Sequence, residues 1–161
     1  MVEWSVTGGG GGAADHGPDL VLRADGSARA GARFGGGRPV HGAVAPERLQ
    51  GLLGEILDEH GFFGIDGPEV EGRMRAERDR RASSAMAAEG EAVPVPLGPP
   101  YVDAAVTRIA VHADGRRHEV PVQGLAAAAR EYPELRELVD LRAIELALLD
   151  LAERIGSGRP G

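Results

Sequence analysis

At 161 residues and a formal net charge of −7, the chain is long enough to build one hydrophobic core and carries the wrong sign for a general binder of phosphate backbones. It has no Cys and no Lys, so all 18 of its basic residues are Arg. Disulfides, thiolate nucleophiles, thiolate metal sites, Schiff-base chemistry and a lysine-dependent phosphate loop are therefore excluded.

In chain order, Val2-Glu3-Trp4-Ser5-Val6-Thr7 alternates and predicts a first strand with Val2, Trp4 and Val6 on one face. Gly8–Gly12 and Asp15-His16-Gly17-Pro18 read as a loose loop. Gly8-x-Gly10-x-x-Ala13 matches a degenerate dinucleotide fingerprint, but no helix follows it to receive a pyrophosphate, so a loop is the reading kept. Leu20-Val21-Leu22-Arg23-Ala24-Asp25-Gly26 is an apolar strand running into a turn, because Gly takes positive φ freely and Asp tolerates the turn. A three-residue loop pairs Leu22 with Ala28 and Leu20 with Ala30, sending Val21 and Arg29 to the other face. A further strand is expected near Pro39–Ala43.

A helix over 46–60 opens on Pro46 and carries Leu49, Leu52, Leu53, Ile56 and Leu57 as one stripe. Gly51 and Gly54 weaken it by about 1 kcal/mol each relative to Ala, so packing must hold it. Phe62, Phe63 and Ile65 follow as an anchor or short strand in the core. Residues 69–89 form a second helical candidate of mixed charge, apolar only at Val70, Met74, Ala82, Ala85 and Met86. Pro94, Pro96, Pro99 and Pro100 then give an extended connector.

The second hairpin, Val106–Val111 with Arg117–Val122, gathers its apolar residues only with an even-numbered loop. That register pairs Ile109 with Val120 and Val111 with His118, and puts His112 and His118 on opposite faces. A short helix over Leu125–Arg130 ends at Tyr132-Pro133. The last helix, from about Glu134 to Arg154, has Leu138, Leu141, Ile144, Leu148, Leu151 and Ile155 on a stripe that must be buried, and 156–161 read as a disordered tail. The expectation is a single α+β domain, 1–161. It divides into a first hairpin-helix half (2–66), a charged helix and connector (67–100) and a second half (101–155). Two hairpins and the terminal strand form an antiparallel sheet, covered on one face by the helices 46–60 and 134–155.

Reactive groups are few. Asp58, His60 and Asp66 gather near the end of the first long helix and could supply oxygen and imidazole ligands, making them candidates for a metal or proton-transfer site and for a small-molecule enzyme. Arg73, Arg75, Arg78, Arg80 and Arg81 could hold a phosphate or an acidic partner, since Arg binds such groups bidentately, although Glu69, Glu71, Glu77 and Asp79 alternate with them. No catalytic motif of the nucleophile-elbow or zinc-helix type occurs, and no cofactor is implied.

Two resemblances rest on these segments. The order Trp4–Thr7, glycine-rich turn, Asp19–Asp25, helix 46–60, Gly61-Phe62-Phe63 and Val106-Thr107-Arg108-Ile109 through Arg117-His118-Glu119-Val120 resembles small bacterial hairpin-helix-hairpin-helix domains without an assigned function. The segments Ser5-Val6-Thr7-Gly8-Gly9, Phe62-Phe63 with its preceding helix, and His118-Glu119-Val120 also resemble the protealysin-inhibitor (emfourin) family. That resemblance implies inhibition of thermolysin-like metalloproteases. The chain departs from that family in its Arg-rich insertion at 69–89 and its long last helix, and no inhibitory residue is carried over.

The reading from sequence is thus a non-catalytic protein-binding or inhibitor-like module with a protein partner, and without nucleic acid or membrane. A structural subunit of a homo- or hetero-oligomer, associating through the last helix where Leu146 and Leu149 flank the main stripe, is the other non-enzymatic alternative. Met1-Val2-Glu3-Trp4 offers no leader pattern, which points to the cytoplasm, with a mature secreted form as the alternative.

Overall fold

The structure, a computed structural model, describes residues 1–8, 17–89 and 104–158, the side chains of 85–89 excepted. Most of the glycine loop, the Pro-rich connector, the side chains of Ala85 and Met86 and the last three residues lie outside it. Six strands, β1 (Val2–Thr7), β2 (Leu20–Leu22), β3 (Ser27–Ala30), β4 (Val40–Ala43), β5 (Val106–Ala113) and β6 (Arg116–Gln123), form one antiparallel sheet among the described residues, in the order β4-β3-β2-β1-β5-β6. Among the described residues four α-helices accompany them: α1 (Pro46–Gly54), α2 (Gly67–Glu89), α3 (Leu125–Glu131) and α4 (Arg136–Gly156). The fold is α+β. No helix among the described residues is long and apolar enough to cross a membrane.

β1 lies between the two hairpins and pairs with one strand of each: Val2 faces Leu22 on one side and Val111 on the other, and Trp4 faces Leu20 and Ile109. Both Asp-Gly turns therefore come to the same end of the sheet. They are built differently. In the first, Leu22 pairs with Ala28, Arg23 N–H donates to Ser27 O at 2.9 Å, and Gly26 takes φ 80°, a three-residue loop. In the second, Ala113 pairs with Arg116 across Asp114 (φ 52°) and Gly115 (φ 72°), a two-residue loop whose paired positive φ values match the strand twist.

Asp25 stiffens the first turn. Its Oδ1 accepts from Ser27 N–H at 2.9 Å and Ser27 Oγ–H at 2.6 Å, and these bonds, the side-chain one foremost, hold its carboxyl below the ordinary aspartate range. The stabilisation is present in full above the ordinary aspartate pKa and is lost as pH falls from there through the lowered folded-state value. Asp25→Asn keeps the turn geometry but does not titrate. Its unfolding free energy should therefore fall less steeply below pH 4 than that of the parent, in denaturant titrations across that range.

Val2, Trp4, Leu20, Leu22, Ala28, Ala30, Ile109, Val111, Val120 and Val122 form the buried face of the sheet, continuous with the helix stripes in one core. α4 supplies Leu138, Leu141, Ile144, Leu148, Leu151 and Ile155, all buried as the spacing requires. It runs Arg136–Gly156, starting and ending two residues later than expected. Leu135 is extended and Leu135 N–H bonds Tyr132 O at 3.0 Å, so the Pro133 turn delays the start, and the expected tail begins only after Gly156.

The helix expected over 46–60 is α-helical only to Gly54. Residues Glu55–Glu59 form a π-helical turn, closed by His60 N–H to Glu55 O at 3.0 Å, and Gly61 (φ 55°) ends it. Gly51 and Gly54 weaken the regular ladder just before the switch. The wider turn carries Ile56 into the core and brings His60 to the side of α4. A 3₁₀ turn, Phe62–Gly64, then buries Phe62 completely.

Candidate functional site

The nominated metal candidates do not converge. Asp58 is exposed on the π turn. Asp66 Oδ1 accepts the Glu69 N–H at 2.9 Å and so caps the first turn of α2, an Asp's most common duty before a helix. His60 turns instead to α4: its Nδ1 lies 2.9 Å from Asp140 Oδ1, its Nε2 lies 3.9 Å from Glu55 Oε1, and Arg136 Nε lies 3.4 Å from Asp140 Oδ2. Among the described residues no three His, Asp or Glu side chains come together as a metal-binding set. The His60–Asp140 contact joins residues 80 apart in the chain and holds the end of the π turn against α4.

His118 is likewise satisfied within the fold. Its Nε2 lies 2.7 Å from Ile65 O, so this nitrogen carries the proton, and its ring meets Phe62 edge-on with centroids 5.3 Å apart. His112 lies on the opposite face of the hairpin and is exposed, as the register predicts.

The arginines of α2 act largely as clamps. Arg73 pairs with Glu137. Arg81 donates Nη2–H to Glu134 Oε1 at 2.7 Å and Nη1–H to Glu131 O at 3.0 Å, and stacks 4.9 Å over the Tyr132 ring. Arg80 Nε–H donates to Glu77 at 2.9 Å and Arg81 Nε–H to the same carboxylate at 2.8 Å, and these bonds lower the Glu77 pKa. The same Glu77 bond, with Glu134 adding to it, raises the Arg81 pKa, while burial, joined by Glu131, raises that of Tyr132. Arg78 lies 3.7 Å from Asp79, and Arg75 is exposed. α2 is thus strapped to the α3–α4 corner by charge, with Val70 its buried apolar contact.

One polar pair escaped the sequence reading. Glu145, only 6% exposed, accepts Thr107 Oγ–H at 2.8 Å and pairs through its other oxygen with Arg142. Its position was the available signal: Glu145 stands four after Leu141 and three before Leu148, inside the buried stripe. Thr107→Val removes the donor and leaves a buried carboxylate oxygen short of a partner, so urea unfolding should show a loss of about 1–3 kcal/mol.

The opposite side of the sheet has another character. Strand alternation and register place His41, Arg29, Val21, Glu3, Ala110 and Glu119 in one row across all six strands. Two shallow depressions share Glu3 and Pro18 on this face. One, of about 390 Å³, is lined by Val21, Arg23, Arg29 and His41 among others; the second, of about 220 Å³, by Ser5, Arg108, Ala110, Arg117 and Glu119. Arg108 pairs with Glu119, and Arg117 reaches the same carboxylate at 3.2 Å. The helix stripes pack on the Trp4 side, so no described helix contributes to this face.

Comparison with protein-family models, with curated proteins and with solved structures finds no match.

Proposed function

We propose that the chain is a non-catalytic protein-binding module of the inhibitor type, working through the open face of its sheet. The observation that carries this reading is the six-strand row His41–Arg29–Val21–Glu3–Ala110–Glu119, a broad surface of mixed charged and apolar side chains lined by no described helix. A one-sided antiparallel sheet commonly leaves one face to solvent, and such a surface is flat and rigid enough to dock another protein. The engagement of His60, Asp66 and His118 in contacts internal to the fold supports it against an enzymatic reading. The resemblance to the protealysin-inhibitor family supplies the partner class to test first, a thermolysin-like metalloprotease. Titrating such a protease with the chain should lower peptide hydrolysis in proportion to the amount added, to a plateau at equimolar ratio. Unchanged hydrolysis at large excess removes the inhibitor reading.

A second reading, a self-associating subunit, is favoured by α4. Val139 and Leu146, 43% and 47% exposed and seven residues apart, lie on its outer side, whereas Leu149 packs partly into the core. Light scattering at micromolar concentrations should then give a mass above that of one chain, reduced by Leu146→Asp. A strict monomer removes it.

A further inference from the structure

We infer that the open sheet face docks an acidic protein segment, gripped by Arg23 and Arg29 on one side of Glu3 and by Arg108 and Arg117 on the other. This assignment rests on the protein-binding reading and names the partner's chemistry.

Charge carries the argument. The chain has 25 acidic residues against 18 Arg, yet among the described residues the two depressions on this face bring together four guanidinium groups and two carboxylates. One of those carboxylates, Glu119, is shared by Arg108 and Arg117, each of which has more N–H donors than that bond uses and a side chain at least half exposed. An acidic protein with a locally cationic face attracts an anionic partner there and repels it elsewhere, which fixes orientation as well as affinity.

The kind of anion follows from the remaining residues. Guanidinium forks match carboxylates bidentately. Among the described residues no Phe, Tyr or exposed Trp lines either depression to stack a base, which disfavours a polynucleotide. A second copy docking face to face would set arginines against arginines. The distance from β3 to β6, four strand spacings or about 19 Å, suits an extended segment of about six residues.

The test uses the full chain and a fluorescent oligoglutamate peptide, read by anisotropy. Arg29→Glu with Arg117→Glu should weaken binding by about tenfold or more, and added salt should weaken the parent. Arg75→Glu, a reversal at an exposed site on α2, should leave binding within about twofold. Circular dichroism establishes that each variant is folded, and Arg29→Gln with Arg117→Gln serves if the reversal is not. The assignment is overturned if the double variants bind as tightly as the parent, if Arg75→Glu weakens binding equally, if the peptide does not bind, or if a single-stranded oligonucleotide of equal charge binds more tightly. Protease inhibition that persists without peptide binding overturns this surface alone. Peptide binding without inhibition overturns the inhibitor reading alone.

Discussion

Replacing Phe62 with Ala should lower the unfolding free energy by about 3–5 kcal/mol, among the largest costs of any single truncation in this chain. Phe62 is fully buried in the 3₁₀ turn that follows the left-handed Gly61. Its ring meets Phe63 at 6.4 Å and His118 at 5.3 Å, and His118 in turn donates to Ile65 O. Truncation opens a cavity and also frees the imidazole whose hydrogen bond ties β6 to this turn. With domain stabilities of about 5–15 kcal/mol, such a loss is a large fraction of the total. Urea titration followed by circular dichroism measures it, and Phe62→Leu, which refills part of the volume, should cost distinctly less. A loss under about 1 kcal/mol for the alanine variant would show that the ring is not packed as described.

The second large effect separates the two Asp-Gly turns. Gly26→Ala meets two penalties at once. The residue sits at φ 80°, where an L side chain is strained, and an added Cβ would lie 2.6 Å from Val44 O. That carbonyl belongs to the backbone, and Gly26 O itself accepts Val44 N–H at 2.8 Å, so relief requires moving the segment that leads from β4 into α1. The expected cost is about 2–4 kcal/mol. Gly115→Ala carries only the conformational penalty of φ 72°, with open space around it, and should cost about 1 kcal/mol. Equal costs at the two sites would contradict the different settings of these turns.

Much of this architecture was legible in the chain. Apolar alternation allowed one register for Leu20–Leu22 against Ala28–Ala30, and it excluded a three-residue loop in the second hairpin, where His118 must face Val111. Both follow from the two-residue period of strands, in which a slip by one residue inverts every side chain. The stripe of α4 was equally clear, because six large aliphatic residues at helical spacing have no alternative to burial. What could not be read were contacts closed by topology. His60 meets Asp140 and Thr107 meets Glu145 only because the sheet and α4 stack in this order, and nothing local to either residue announces its partner. The same holds for the cationic face. Alternation sent Arg29 outward, but only the placing of β1 between the hairpins sets it on one surface with Arg108 and Arg117. The π turn was hidden for another reason: a stripe at 49, 52, 53, 56 and 57 fits a regular helix, and the wider geometry depends on what His60 finds beyond it.

The central place of β1 also bears on how the chain reaches this state. β2 and β3 are close neighbours in sequence, as are β5 and β6, so each hairpin closes a short loop and can form early. β1 joins them, but its pairing with β5 bridges Val2 to Val111. During synthesis, the first four strands emerge well before β5, leaving one side of β1 as an unpaired edge beside Val2, Trp4 and Leu20. Completion of the sheet at β1–β5 is therefore expected to be the slow, non-local step, from the dependence of folding rate on contact order. Substitutions in that ladder, at Trp4 or Ile109, should slow refolding more than equally costly substitutions within the β2–β3 hairpin.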